Sequence, residues 1–271
     1  MDAGYVQLGY GELALAAGLI LINGALSLAL GLGLERRLLV ASVRTVVQLL
    51  LIGYLLKFIF GLRHPLWVLL LGLAMVALAG QAAVARVSGR FRGIYAGSTL
   101  SILVSSFLVT GLAVTAIVRP EPWYEPQYVV PLLGMVLGNT LNGISLGLDR
   151  FLEGLRRRRD QVEGLLALGA TRWEACRDVV RDAVRTGMVP TLNSMAVVGL
   201  VSLPGMMTGQ ILAGADPADA VRYQIVIMFM IAAATALGTL GAVAYAYRSL
   251  LDGYHRLRLD RLRQYGENRY R

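Results

Sequence analysis

The sequence predicts an all-α polytopic membrane protein. The expected chain has seven transmembrane helices, N-out/C-in, with a cytoplasmic helical hairpin between spans five and six. Three observations carry this. Of 271 residues, 56% are hydrophobic and only 16% charged, with a mean hydropathy of +0.60; a soluble domain has about 25% charged residues. Seven apolar stretches reach the roughly 20 residues that a membrane helix needs. The basic residues fall on alternate connections, as cytoplasmic loops require.

In chain order the stretches are residues 13–34, 38–60, 66–84, 94–118, 128–148, 188–213 and 223–247. The stretch before the first, residues 1–11, carries an acid and no base, unlike the positive start of a signal peptide. Span two has Arg44 and Lys57 near opposite ends, each able to snorkel toward an interface. The run from Pro120 to Pro126 after span four is rigid, acidic and aromatic, which suits an outer interface. Spans six and seven are joined by a short turn at Asp216-Pro217-Ala218-Asp219, where Asp216 can cap a helix. With the C-terminus inside, 22 basic residues lie on the inner side and 4 on the outer side. The opposite orientation would invert that ratio. The whole of 1–271 reads as one transmembrane domain, with a cytoplasmic loop at about 149–187 and a basic cytoplasmic tail at about 248–271.

Composition excludes several functions. The single cysteine, Cys176, supports no disulfide framework and no cysteine zinc site, and two histidines leave little for metal or acid–base chemistry. The one lysine, Lys57, lies in Leu55-Leu56-Lys57-Phe58, so the chain has no Gly-Lys-Ser/Thr phosphate loop. The net charge of +9 reflects cytoplasmic arginine rather than nucleic-acid binding. The apolar spans contain no acid away from their borders, whereas proton-coupled carriers normally use one.

The buried polar candidates are neutral. Span five holds Asn139 and Asn142, and span six holds Asn193, Ser194, Met206, Met207 and Gln210 around Pro204. Two readings stand: helix packing with amides bonding across an interface, or the lining of a translocation path. Pro204 should break its helix and free carbonyls. Gly134/Gly138, Gly143/Gly147 and Gly205/Gly209 are GxxxG pairs that allow close helix approach, including a seam with a second copy.

Residues 149–187 form a charged amphipathic hairpin. Phe151/Leu152, Leu155, Val162 and Leu165/Leu166 recur at helical spacing, Gly169-Ala170 interrupts them, and Thr171-Arg172-Trp173-Glu174 is a capping-box signature. Glu174–Arg177, Asp178–Arg181 and Asp182–Arg185 are spaced for ion pairs along the second helix. The run Arg156 to Arg159 serves either membrane lipid headgroups or topology alone. A hairpin of this size is more than two spans need to be joined, and it suits docking of a cytoplasmic partner.

The run Glu163-Gly164-Leu165-Leu166-Ala167-Leu168-Gly169-Ala170-Thr171-Arg172-Trp173 resembles the EAA loop of ABC-transporter permeases, with Gly164 and Leu165 in place of both alanines. Val43 to Leu49, Pro131 to Met135 with Gly138-Asn139, Val198 to Gly209, and Ala213 to Pro217 with Tyr223-Gln224-Ile225 resemble the FetB-type iron-export permease family. The resemblance covers about residues 43–230. It implies the membrane half of an ABC exporter in the cell inner membrane, serving metal homeostasis by iron efflux. Such a chain is not an enzyme: it works as a homodimer, with ATP and Mg on a separate cytoplasmic ATPase subunit and no cofactor of its own. Plant members are tied to aluminium tolerance, with nucleotide-sugar export proposed for them, so another small solute is the alternative cargo. Glu163, Gly169, Ala170, Thr171 and Arg172 are the implied ATPase-coupling residues; no metal ligand is assigned. An ATP-independent carrier or channel would explain the spans but not the hairpin, and a scaffold would not explain the Asn/Gly/Pro-rich spans five and six.

Overall fold

The computed structural model describes residues 9–62 and 64–264. Arg63, the first eight residues and the end of the basic tail beyond 264 lie outside the described residues. Almost everything described is helical, and six helices are long and apolar enough to cross a membrane. Two compact units divide the chain: the residues before 64 with 209–215, and residues 64–208 with 216 onward.

The first unit is built on α1 (Tyr10–Ala29) and α2 (Glu35–Leu62). Gly31 and Gly33 turn the chain between them at φ +62° and +64°, a conformation that costs a side chain roughly 1–2 kcal/mol. The Ser27 hydroxyl fixes this turn, accepting from the Leu34 N–H at 2.9 Å and donating to Glu35 at 3.0 Å. Most apolar side chains of α2 are exposed, with Ile59 a buried exception.

The second unit holds α3 (Pro65–Ala85), α4 (Ile94–Leu112, extended by a π-helical turn, Ala113–Val118), α5 (Pro126–Arg157), α6 (Arg159–Ala167), α7 (Arg172–Val197) and α9 (Pro217–Leu250). The short α8 (Gly205–Leu212) belongs partly to each unit. In this second unit α5 is central, packing against α3, α4, α7 and α9. Its inward face runs from Leu132 through Ile144 and Leu148 to Phe151, Leu152 and Leu155, all fully or nearly fully buried. Glycine permits its closest approach. A Cβ on Gly143 would meet Thr235 at 2.5 Å, and one on Gly187 would meet the Gly143 carbonyl oxygen at 2.6 Å and Thr239 at 2.7 Å. The Gly143/Gly147 pair is therefore used inside the chain, against α7 and α9. Gly138 and Gly205 have nothing within 4 Å. The turn after α3 is tied to α5 by Ser88, whose amide and hydroxyl both donate to Asp149, at 3.0 and 2.6 Å.

Three sequence expectations change. The stretch 188–213 is not one helix: its first part continues α7, residues 198–204 are non-helical, and α8 follows. Gly199 takes φ +81°, and Pro204 disfavours helical geometry in the residue before it. The hairpin expected at 149–187 is helical and bends at residues 168–171, but it has no border at 149, because α5 runs unbroken from the apolar stretch into it. Charge pairing also differs. Asp178 pairs with Arg181 as expected, at 3.7 Å, but Asp182 reaches across the hairpin to Arg158 at 3.0 Å, and Glu174 is taken by the helix cap. In the arginine run, Arg157 pairs with Glu153, Arg158 with Asp182 and Arg159 with Glu163, so these three are engaged within the chain.

Candidate functional site

The break after α7 opens a cavity of about 330 Å³ bounded by α5, the end of α7, the 198–204 linker, the start of α8 and α9. The linker folds on itself, with the Gly199 N–H donating to the Ser202 carbonyl at 2.9 Å. This presents Ser202 and Pro204 to the cavity beside Thr191 and Ser194. From α5 come Met135 and Asn139, and the Asn139 amide is oriented by donating to the Met135 carbonyl at 2.9 Å. From α9 comes Gln224, only 6% exposed, whose Oε1 has no hydrogen-bond partner among the described residues.

The lining is amide, hydroxyl, thioether and hydrocarbon, with no ionisable side chain. It can hydrogen-bond a solute or replace part of a hydration shell, but offers no general acid, base or nucleophile. Among the described residues no cluster of three His, Cys, Asp or Glu side chains exists. Of the sequence candidates, Asn139, Ser194 and Met206 come together here, while Asn142, Asn193, Met207 and Gln210 are not on the lining. Asn142 instead accepts a hydrogen bond from Arg86, and Asn193 is exposed. Gln224, Thr191 and Ser202 were not among those candidates. The available signal for Gln224 was a lone amide inside an apolar run, Tyr223-Gln224-Ile225 followed by Val-Ile-Met-Phe-Met.

A second constellation lies at the bend between α6 and α7. Gly169 has φ +90°, and the N–H groups of Gly169 and Ala170 donate to the carbonyls of Leu166 and Leu165 at 3.1 and 3.0 Å, a Schellman stop. Thr171 then caps α7: its hydroxyl accepts from the Glu174 amide at 3.3 Å, and its own amide donates to the Glu174 carboxylate at 2.8 Å. That amide bond holds the Glu174 carboxyl below its ordinary pKa. Glu163 pairs with Arg159 at 2.9 Å along α6. Cys176 packs in the core, where burial pushes its thiol up to about 11. The bend thus stops one helix and starts the next within four residues, and α7 runs unbroken from Arg172 to the cavity at Thr191 and Ser194.

Residues 10–251 match the model of an uncharacterised protein family, UPF0014. The chain belongs to this family. It is 39% identical over 258 residues to the UPF0014 membrane protein slr1647 of Synechocystis, covering 95% of this chain and 99% of the relative. The probable iron export permease protein FetB of Escherichia coli is 33% identical, covering 93% and 96% of the two chains. The UPF0014 membrane protein STAR2 of rice is 34% identical, covering 89% and 84%. No solved structure matches. With its apolar helices and these relatives, the chain is a multi-pass membrane protein of the UPF0014 family, among whose members one is named a permease.

Proposed function

We propose that this UPF0014 chain is the membrane subunit of an ABC exporter. Two copies work with two copies of a cytoplasmic ATPase that brings ATP and Mg, in the inner membrane, N-out/C-in. The observation that carries the reading is the bend at Gly169–Thr171, stopped and capped on both sides and joined by one helix to the cavity. A partner that pushes the bend turns α7 as a rigid lever, the behaviour expected of a packed helix. In this reading the apolar second half of α7, the linker and α8 together form one more crossing, the sixth in chain order and one of seven in all. Its interruption lies beside the cavity, and irregular backbone is tolerated at membrane depth where it lines one.

The cargo this reading assigns first is iron, after the name of the Escherichia coli relative. The neutral lining of the cavity supports a second cargo, a hydrogen-bonding solute such as a nucleotide sugar, because a hard cation favours carboxylates. The test combines Gly169→Val with Glu163→Arg in the chain reconstituted with its ATPase. Expression and dimerisation should persist while substrate-stimulated hydrolysis and transport are lost. Normal transport by this variant with the ATPase still bound would remove the bend from the mechanism and favour an ATP-independent carrier or channel.

A further inference from the structure

A second segment of the chain reaches the bend. After α9 the tail turns back on itself. The Asp252 carboxylate accepts the N–H groups of Tyr254 and Arg256, both at 3.0 Å, and the Arg256 guanidinium at 3.2 Å. The Arg258 N–H donates to the Leu250 carbonyl at 2.8 Å, and Leu251 and Leu257 form an antiparallel bridge. Farther on, β2 (Arg263–Gln264) pairs with β1 (Gly89–Arg90) in the turn after α3. This makes an ordered hook, anchored at its base by the buried Leu250 and Leu251.

His255 stands in this hook at φ +56°, and its Nδ1 accepts the backbone N–H of Arg172 at 2.9 Å. That amide belongs to the first residue of α7, one of the four that a helix leaves without an internal partner. The start of α7 is therefore held from two sides, by its own capping box and by the tail. Arg172 lies over the Tyr247 ring at 5.8 Å, and Trp173 meets the same ring edge-on at 6.1 Å.

Around this junction large apolar side chains are bare: Leu168 is 86% exposed, Tyr254 82% and Trp173 52%. The nearby carboxylates are engaged within the chain, Glu163 on Arg159, Glu174 on Thr171 and Asp252 on its own turn. Arg172 has no carboxylate partner among the described residues. A bare tyrosine and a half-exposed tryptophan beside an arginine have the composition of an interface centre rather than of a solvated loop.

We infer that the hook at 251–258 is the second half of the docking surface. Its occupant is the ATPase subunit, presenting an apolar slot rimmed by carboxylates to Leu168, Trp173 and Tyr254. His255 is a positioning residue: it locks hook and bend into one body, so that the partner moves both with α7. The inference rests on the proposed ABC reading and adds to it a contact that the EAA-like run does not contain.

The test uses the full chain in detergent, immobilised, with a purified ABC ATPase sought first in the reading frames adjoining this one. Tyr254→Ala and His255→Ala should each weaken capture about tenfold, the scale of one interface anchor. His255→Asn, whose side-chain oxygen still accepts a hydrogen bond, should recover most of it. A photo-crosslinker at position 254 in native membranes should join the same ATPase chain as one at position 168. Crosslinking of 168 alone to the ATPase, with 254 reaching only lipid or nothing, would overturn the hook's role and leave the bend intact. Failure at both positions, with no capture by the unaltered chain, would overturn the ABC reading and the hook with it.

Discussion

Replacing Gly187 by alanine tests the packing on which the second unit depends. The added methyl would sit 2.6 Å from the Gly143 carbonyl oxygen and 2.7 Å from the Thr239 methyl. Thr239 is fully buried, and the carbonyl belongs to the backbone of α5, so neither can rotate away cheaply. Helices α5 and α7 must separate by several tenths of an ångström. Overpacking of this kind costs about 1–3 kcal/mol, and a rigid backbone neighbour puts this site at the upper end. Alanine returns up to about 1 kcal/mol through helix propensity, leaving a net loss of about 2 kcal/mol. Gly138→Ala is the matched control, because its methyl meets nothing within 4 Å and keeps only the propensity gain. Reversible unfolding in mixed detergent micelles should rank the proteins Gly138→Ala, wild type, then Gly187→Ala, the last with its unfolding constant raised about thirtyfold. A Gly187→Ala protein as stable as wild type would refute the close crossing of α5, α7 and α9.

Three further outcomes follow from particular residues. At Gly169 there is open space but φ is +90°, so Gly169→Asn should be tolerated far better than Gly169→Val when ATPase stimulation is measured; equal loss would point to volume rather than backbone. Burial raises the Cys176 thiol to about 11, so at pH 8 only about one molecule in a thousand carries the reactive thiolate. Maleimide should therefore label it only after denaturation, with fast labelling of the folded protein as the contrary result. On that silent background, cysteine placed at exposed Ala218 should react with an impermeant reagent from outside, and at exposed Gly164 only from inside; labelling of both from one side would overturn N-out/C-in.

Local signals in the sequence were read well where a few neighbouring residues determine the geometry. Thr171 with Glu174 specified the cap, and Gly169-Ala170 specified the interruption before it, because each needs only its own turn. Pairings across elements were not legible. Asp182 was assigned to Arg185 by helical spacing, but its partner Arg158 lies on the other side of the hairpin. Hydropathy placed a continuous span at 188–213 because it averages composition, and it averages across the interruption at 198–204. Asn139, Ser194 and Met206 were found for the cavity because polar and thioether residues stand out in apolar runs. Gln224 carries the same signal but sits near the start of α9, where an amide passes for a helix end. The hook was invisible, since the tail read as a charge run and the His255–Arg172 contact spans 83 residues.

The central claim is that this chain moves its cargo only when a separate ATPase drives it. The most direct measurement places the purified chain in proteoliposomes, alone and with the ATPase, and follows ATP hydrolysis and efflux of iron or a nucleotide sugar together. The account predicts neither hydrolysis nor transport by the chain alone, and both, coupled, when ATPase and ATP are supplied. Steady transport by the chain alone, or ATP hydrolysis without the second subunit, would contradict it.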